Sequence, residues 1–292
     1  MIQVLKPILL PIYGITKKLL DVTGIKLPAV LKSLNKKFLA GMKTESIDLN
    51  GDTLYLDESD SLLLSVNGVY EPYETELVST LVKPGDTVID VGANIGYYTL
   101  QFAQLVGPQG RVIAFEPDPI NYQLLVKNIT ENGYKNVTAV NKAVSDSKGT
   151  LKLYINEENR GDNRMYDSSD DRSAVSIETV ALDEFLAKQQ DSIDFIKMDI
   201  QGAEILALKG MKNILSKNKN LTLISEFWPI GIQRIGGKAR EYIDILEQSG
   251  FEVQEIVEDK KRLMPVDDAS KLLEAYTVEN ELYTNLLCTK KD

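Results

Sequence analysis

The stretch DTVIDVGANIGYY, residues 86–98, runs from a short apolar strand pattern into a turn that holds two glycines and an asparagine. The acid Asp90 stands two residues before Gly92, and Asn94 and Gly96 follow in the turn. Glycine leaves room for a ligand to approach the backbone closely. Asparagine tolerates a left-handed backbone and offers both a donor and an acceptor. At the carboxyl end of a strand in a parallel sheet, such a turn predicts a ligand-binding site.

Strand and helix patterns alternate along most of the chain after this turn. Strands are predicted at 86–92, 111–117, 136–145, 149–155, 193–200, 221–227, 251–257 and 284–289, and helices at 96–107, 118–133, 202–218 and 238–249. A strand that leads into a helix is predicted over 176–189, and the polar stretch 156–173 predicts a long surface loop. The alternation predicts right-handed βαβ units and a parallel sheet, in one α/β domain at 68–292 that follows an N-terminal extension at 1–67.

The N-terminal extension combines a basic helix pattern with a hairpin pattern. Residues 1–43 hold eight lysines and a single acid, and 24–43 place apolar residues at helical spacing, mostly opposite the lysines. We expect this amphipathic helix either to pack on the main domain or a second subunit, or to attach to an anionic membrane surface. Residues 46–57 predict a β-hairpin with Asn50 and Gly51 at its turn.

Composition excludes several kinds of function. The chain has 292 residues and a formal net charge of −10, which argues against a nucleic-acid partner. It has no histidine, so histidine metal sites, Ser-His-Asp triads and histidine bases are excluded. Cys288 is the single cysteine, which excludes an intrachain disulfide and favours a reducing, cytoplasmic compartment. Lysine and prolines interrupt the apolar N-terminus, so we expect neither a signal peptide nor a membrane span there.

The acid that ends the next predicted strand indicates which ligand the turn binds. Glu116, in the sequence FEP, lies 20 residues after Gly96, where an acid is placed to bind the two hydroxyls of a ribose. The competing interpretation is a dinucleotide site of an NAD-dependent oxidoreductase, but Asn94 and Tyr97 stand where that fingerprint needs glycines. Asp90 also suits a cation better than a pyrophosphate. These residues favour S-adenosylmethionine, which carries a ribose, a sulfonium and an amino group.

Four stretches resemble the FkbM-type methyltransferases, a family of class I S-adenosylmethionine-dependent enzymes. They are VIDVGANIGYYTL (88–100), AFEPDPINYQLLVKNI (114–129), NKAVSDSKGTLKL (141–153) and IDFIKMDIQGAEILALKGM (193–211). The likeness runs from 68 to about 256. It implies a seven-stranded, mostly parallel, Rossmann-like sheet with helices on both faces and an antiparallel last strand, 284–289, inserted beside 251–257. The family usually has glutamate where this chain has Gln201, so the role of an acid does not carry over to that position.

Candidate cofactor-binding residues follow from the turn, the ribose acid and the resemblance. They are Asp90, Gly92, Asn94, Gly96, Glu116, Pro117, Ala143 and Asp199. We expect Ala143 and its neighbours to contact the adenine, Glu116 to bind the ribose, and the residues of the turn to hold the amino-acid end of the cofactor.

The candidate proton acceptors for an alcohol are three carboxylates and a lysine. Alternation places Lys197 and Asp199 on one face of their strand, with Asp199 at its carboxyl end. Glu204 in the first turn of the next helix and Glu226 at the end of the following strand are expected to converge there. The structural alternatives are a cofactor contact for Asp199, a favourable helix terminus for Glu204 and an ion pair for Lys197. The three carboxylates also suit Mg²⁺, which we do not assign.

Aromatic residues next to acids mark the acceptor side. Tyr70, Glu71 and Tyr73 come before the first strand, and Trp228 follows Glu226; the alternatives are a solvated helix start and packing. We expect an S-adenosylmethionine-dependent O-methyltransferase that acts on a hydroxyl of a small molecule or a sugar. The other two hypotheses are an NAD-dependent oxidoreductase and a non-catalytic scaffold that binds partners through its basic helix.

Overall fold

The computed structural model describes residues 41–188 and 192–290. The strands in chain order are β1 (Ser46–Leu49), β2 (Asp52–Tyr55), β3 (Thr87–Val91), β4 (Arg111–Phe115), β5 (Val137–Val140), β6 (Ala143–Val144), β7 (Gly149–Ile155), β8 (Ser173–Val180), β9 (Phe195–Met198), β10 (Thr222–Phe227), β11 (Phe251–Val257), β12 (Arg262–Pro265) and β13 (Thr284–Lys290). The α-helices that lie wholly within the described residues are α1 (Leu64–Asn67), α2 (Pro72–Leu81), α3 (Tyr97–Val106), α4 (Pro119–Glu131), α5 (Leu182–Phe185), α6 (Glu204–Gly210), α7 (Lys212–Lys217), α8 (Pro229–Arg234), α9 (Ala239–Gln248) and α10 (Ala269–Ala275). Short 3-10 helices cover Arg160–Asp162 and Glu258–Lys260.

Eight strands form the main sheet, in the order β5–β4–β3–β9–β10–β13–β11–β12. From β5 to β10 every neighbouring pair is parallel, as the predicted βαβ units require. β13 inserts antiparallel between β10 and β11, which is the position that the family resemblance implied. The predicted fold class is therefore confirmed. β12 adds an eighth, antiparallel strand at the edge, which the sequence pattern did not indicate.

A separate three-stranded sheet has the order β6–β8–β7. The single strand predicted at 136–145 is divided into β5 and β6, because the chain leaves the main sheet after β5 and β6 pairs with β8. β7 and β8 pair antiparallel from Gly149–Thr179 to Ile155–Ser173. The polar segment between them is therefore the connection of a hairpin, which brings its two ends together.

The apolar core lies on both faces of the main sheet, because successive side chains of its buried strands point to opposite faces. In β3, Ile89 and Val91 pack with residues of α6, α7, α9 and α10 on one face, while Val88 packs with α2, α3 and α4 on the other. All five residues of β3 are buried, as expected for a central strand of a parallel sheet. Cys288 lies in β13, within the strand predicted at 284–289, and is fully buried in the same core.

The β1–β2 hairpin lies where it was predicted, with Asn50 and Gly51 at positive φ in its turn. The hairpin packs on α4, where the backbone N–H of Tyr55 donates a hydrogen bond to Asn128 Oδ1 at 2.8 Å. Leu54 is fully buried in the cluster that α3 and α4 share. The hairpin therefore shares a core with the rest of the fold. The domain boundary after residue 67 stays a prediction.

The basic helix predicted at 24–43 lies outside the described residues except for 41–43. Within the described parts of the chain, every helix is too short or too polar to cross a membrane.

Candidate active site

A cavity of about 440 Å³ lies where β3, β4, β9 and β10 end, at the edge of the sheet where parallel strands are expected to bind ligands. The predicted site residues that line it are Tyr70, Glu71, Asp90, Gly92, Asn94, Glu116, Pro117, Ala143, Lys197, Asp199, Glu226 and Trp228. Gly96, Tyr73 and Glu204 do not line it. Each of these three residues contacts other parts of the protein instead.

The glycines of the turn after β3 are required by the protein itself. Gly92 has a φ of 87°, and a Cβ there would lie 2.0 Å from the carbonyl oxygen of Asp199. Gly96 has a φ of 97° and caps α3, and its Cβ would lie 2.9 Å from Leu125. Both glycines therefore allow close packing of the turn. Gly92 also lines the cavity, whereas Gly96 does not, and the expectation that they leave space for a ligand stays a prediction. Asn94 has the expected left-handed backbone, with a φ of 50°, and its buried Oδ1 has no hydrogen-bond partner among the described residues.

Glu116 directly follows β4, and its carboxylate supports the turn after β3. Its Oε2 accepts a hydrogen bond from the backbone N–H of Asn94, and its Oε1 accepts one from that of Asp118, both at 2.8 Å. Burial raises the pKa of Glu116 to about 8, although the two backbone donors favour the ionised form. Each carboxylate oxygen keeps a free lone pair that a further donor can use.

Asp90 lies at the base of the same turn, in β3. Its carboxylate is buried and accepts a hydrogen bond of 2.5 Å from the hydroxyl of Thr99 in α3. Burial raises the pKa of Asp90 to about 6, against the opposing effects of the Thr99 hydrogen bond and the positive charge of Lys197. The acid therefore joins β3 to α3 and adds negative character to the cavity.

Lys197 in β9 is held by an ion pair that crosses to α2. Its Nζ lies 2.8 Å from Glu74, which is completely buried, and 4.0 Å from Glu71. Burial lowers the pKa of Lys197, but the carboxylates of Glu74, Glu71 and Asp199 outweigh this effect and hold the pKa above its usual value. A lysine that stays protonated does not suit the role of proton acceptor. The ion-pair alternative describes the observed geometry.

Glu71 contributes a second carboxylate at the start of α2. Its Oε2 accepts a hydrogen bond from the hydroxyl of Tyr98 at 3.2 Å, and its Oε1 accepts one from Asn285 Nδ2 at 3.0 Å. Burial and the charge of Glu74 raise the pKa of Glu71 to about 8, while Lys197 opposes the increase. Its backbone has a φ of 43°, an unusual value for a residue other than glycine that is typical of functional sites.

The carboxylates after β9 and at the end of β10 have different surroundings. Asp199 Oδ1 accepts a hydrogen bond of 2.9 Å from Gln201 Nε2. A glutamate at position 201 would place a second carboxylate beside Asp199, so the amide accounts for the departure from the family pattern. Glu226 lies at the end of β10 with 5% exposure, and its Oε2 has no hydrogen-bond partner in the part of the chain that the structure describes.

Glu204 lies behind the turn that joins β9 to α6. It is completely buried, and its Oε1 accepts a hydrogen bond of 2.8 Å from the backbone N–H of Ile200. Burial raises the pKa of Glu204 to about 8. The expected convergence on the cavity therefore holds for Asp199 and Glu226 but not for Glu204. Among residues 41–188 and 192–290, no three carboxylate or thiol side chains form a group that could bind a metal ion.

Two of the three aromatic residues predicted for the acceptor side line the cavity, and the third does not. Tyr70 and Trp228 lie on the cavity wall, and the indole N–H of Trp228 donates to the carbonyl oxygen of Glu281 at 3.3 Å. Tyr73 packs instead against the apolar cluster between α2 and α3, and its backbone N–H donates to Glu258 Oε1 at 2.7 Å. Successive residues of a helix point about 100° apart, so Glu71 and Tyr73 do not share a face.

Residues 159–165 form a wall of the cavity that sequence reasoning missed. The guanidinium of Arg160 and the side-chain amide of Asn163 bind Asp118 at 2.5 and 2.8 Å, and Arg164 lies 4.9 Å from the ring centre of Trp228. The segment predicted as a surface loop is therefore tied to α4 and to the residue after β10. Its abundant asparagine, aspartate and arginine were the only signal, and they do not distinguish such a wall from a solvated loop.

We expect the free energy of unfolding of the ligand-free protein to fall as the pH rises from about 5 to 8. Glu71, Glu116 and Glu204 have pKa values raised to about 8, and Asp90 has one raised to about 6. Between their unfolded and folded pKa values, the folded state binds more protons, so stability falls by up to about 1.4 kcal/mol per pH unit for each such group. Thermal unfolding at constant ionic strength measures this change.

The matched control for this pH dependence is Glu204→Gln, which removes one of these protons. Its thermal midpoint should fall less between pH 6 and pH 8 than that of the natural protein. A midpoint that rises over this interval in the natural protein would contradict the prediction.

Comparison with known proteins places these residues in a family context. The Methyltransferase FkbM domain matches residues 90–253. Methyltransferase sdnD of Sordaria araneosa is 27% identical over 198 residues, covering 57% of this chain and 73% of that protein. The 2-O-methyltransferase NoeI of Sinorhizobium fredii is 29% identical over 161 residues, covering 49% of this chain and 65% of that protein. The crystal structure of methyltransferase FkbM from Methylobacillus flagellatus is 16% identical, with a TM-score of 0.43, over 78% of this chain and 53% of that one.

Proposed function

Because this chain belongs to the FkbM family of S-adenosylmethionine-dependent methyltransferases, we propose that it transfers a methyl group to a hydroxyl of a small-molecule or sugar acceptor. A relative named as a 2-O-methyltransferase supports oxygen as the atom that is methylated. The observation that carries the proposal is the cavity at the strand ends, which is lined by carboxylates. The family match sets aside the NAD-dependent alternative. The family match likewise supports an enzyme over a non-catalytic scaffold.

The cavity fits the chemical groups of S-adenosylmethionine. Glu116 keeps one free lone pair on each oxygen for the two ribose hydroxyls. The unpartnered Oδ1 of Asn94 lies in the same turn and can accept a hydrogen bond from the amino-acid end of the cofactor. Pro117 and Ala143 lie on the wall beyond Glu116 and offer an apolar surface to the adenine. Asp90, Asp199 and the other acids supply negative charge for the sulfonium.

In the chemical step, the main role of the protein is to orient the acceptor. When bound, S-adenosylmethionine supplies an electrophilic methyl group on a positively charged sulfur. Asp199 and Glu226 come from adjacent strand ends, so they can hold an acceptor hydroxyl in one place and receive its proton. Tyr70 and Trp228 offer ring faces on the remaining wall, which suit a sugar or another ring-containing acceptor.

We propose a small molecule or glycan as the partner and no nucleic acid, since the net charge is −10. A cytoplasmic location rests on the single cysteine, and contact of 24–43 with a membrane or a second subunit rests on the lysine pattern. Both stay predictions.

Titration calorimetry with S-adenosylhomocysteine and with NAD tests the cofactor. We expect the protein to bind S-adenosylhomocysteine and not NAD. Glu116→Gln keeps the shape of the side chain and removes its charge, so it should weaken binding by about tenfold to a hundredfold. The control Glu252→Gln changes an exposed acid on β11 and should leave the affinity unchanged. Binding of NAD together with indifference to S-adenosylhomocysteine would refute the proposal.

Mass spectrometry of cell extract incubated with the protein and an isotopically labelled methyl donor tests the acceptor. We expect a small, labelled product whose methyl group is bonded to oxygen. A product labelled only on nitrogen or carbon would contradict the O-methyltransferase assignment while leaving the cofactor assignment in place.

A further inference from the structure

Glu226 has an oxygen that the protein leaves without a partner. The side chain lies at the end of β10, is 5% exposed and lines the cavity, yet its buried Oε2 has no hydrogen-bond partner among residues 41–188 and 192–290. A buried carboxylate oxygen without a donor is costly, so such an atom in a ligand cavity indicates a group that is completed by the ligand.

Among the residues that the structure describes, the cavity wall also offers Glu226 no unpaired cation. The cationic side chains that line the cavity are all paired with other carboxylates, in the pairs Lys142–Glu178, Arg160–Asp118, Arg164–Asp162 and Lys197–Glu74. The titratable groups that act on Glu226 are the acids Asp199, Glu204 and Glu71, the neighbouring Lys197, and the tyrosines Tyr70, Tyr242 and Tyr283. Burial and the three acids hold the pKa of Glu226 well above its usual value, and Lys197 only partly opposes them.

We propose that Glu226 is the catalytic base, and that the charge of the bound sulfonium converts it from a neutral carboxyl group to the carboxylate. This inference rests on the proposed function and adds to it a proton that leaves when the methyl donor binds. Without a ligand, like charges and burial favour the neutral form. The cation carried by the methyl donor reverses that preference, because the cationic side chains that line the cavity within residues 41–188 and 192–290 are already paired.

The proposed step balances in atoms and charge. Glu226 Oε2 accepts the hydroxyl proton of the acceptor while the oxygen–methyl bond forms and the methyl–sulfur bond breaks. The electron pair of the broken bond stays on sulfur, which becomes neutral. Glu226 ends the step as a neutral carboxyl group, the form that the protein favours without a cation. The next molecule of methyl donor then expels that proton to solvent, so each cycle releases one proton.

The other candidate bases are less suited to this role. Lys197 is held protonated by Glu74 at 2.8 Å. Asp199 Oδ1 is occupied by Gln201, and both oxygens of Glu71 accept hydrogen bonds, from Tyr98 and Asn285. Among the described acids that line the cavity, Glu226 is the one with a buried oxygen that has no hydrogen-bond partner.

Titration calorimetry in two buffers of different ionisation enthalpy tests the inference, because it counts the protons released on binding. S-adenosylmethionine and S-adenosylhomocysteine share the ribose, adenine and amino-acid groups, and differ in the charge on sulfur. Protons lost from Glu116 on ribose binding therefore cancel in the comparison. We expect the charged ligand to release up to about one proton more than the neutral one near pH 7.5.

Two variants identify the side chain that releases this proton. Glu226→Gln should abolish the difference between the ligands, keep its affinity for S-adenosylhomocysteine within a few-fold, and transfer methyl groups about 10²-fold more slowly or worse. The control Glu252→Gln removes an exposed acid on β11 and should retain the difference. Equal proton release by the two ligands in the natural protein, or a difference that survives in Glu226→Gln, overturns the inference. Failure of both ligands to bind overturns the proposed function instead.

Discussion

Lys197→Met is expected to destabilise the folded protein by about 3–5 kcal/mol, because it leaves a buried carboxylate without its counter-charge. Glu74 is completely buried and lies 2.8 Å from the Lys197 Nζ. Glu71 adds a second acid 4.0 Å from the same atom. Chemical denaturation followed by tyrosine and tryptophan fluorescence measures the loss as a lower midpoint at an unchanged slope.

The controls separate the buried charge from the loss of any lysine. Lys197→Met combined with Glu74→Gln should recover much of the stability, since the uncompensated charge is removed. Lys209→Met breaks a partly exposed pair with Glu241, at 2.8 Å, and should cost no more than about 1 kcal/mol. A Lys197→Met variant as stable as Lys209→Met would show that the buried pair does not hold β9 to α2.

Gly92→Ala is expected to destabilise the protein by about 3 kcal/mol or more and to abolish cofactor binding. A Cβ at this position would lie 2.0 Å from the Asp199 carbonyl oxygen, and the residue has a φ of 87°. Backbone strain and overpacking each cost about 1–3 kcal/mol. The clash is with backbone, so the turn must move away from Asp199, and both line the cavity. Thermal unfolding and titration with S-adenosylhomocysteine measure the two effects.

Gly85→Ala is the matched control for the clash. Gly85 lies just before β3 with a φ of 91°, and a Cβ there would have no atom within 4 Å. The Gly85→Ala variant therefore has only the strain of a left-handed backbone, about 1 kcal/mol, and should bind the cofactor normally. If Gly92→Ala behaved like Gly85→Ala, the close packing of the turn on Asp199 would be unimportant.

The position of the site was predictable because it depends on local patterns. Apolar runs that end in Asp90, Glu116 and Glu226 are read from neighbouring residues alone. Parallel strands then bring their carboxyl ends to one edge of the sheet, so acids from distant parts of the chain meet there. The turn glycines were also identified, but the close packing that they allow was not. The atoms nearest Gly92 belong to the residue after β9, which lies more than 100 residues later in the chain.

The predictions from sequence that the structure contradicts have a common cause. Glu204 and Tyr73 have the residue types of the site and lie within three residues of Gln201 and Glu71, which line the cavity. Each nevertheless makes its hydrogen bonds with other partners at the start of its helix. The segment 159–165 has no periodic pattern, so its contact with Asp118 could not be inferred from composition. In each case, side-chain direction depends on contacts that are distant in sequence.

The amino-acid sequence by itself determined the α/β class and the acids at the strand ends, because hydrophobic periodicity and residue type act over a few neighbouring positions. The family resemblance added the place of the antiparallel last strand. Only the tertiary structure decided how each charge is compensated. It pairs Lys197 with Glu74 from α2, and it leaves an oxygen of Glu226 without a partner at the end of β10. The physical reason is that the ionisation of a buried group depends on burial and on charges a few ångströms away, and those neighbours come from segments that only folding brings together.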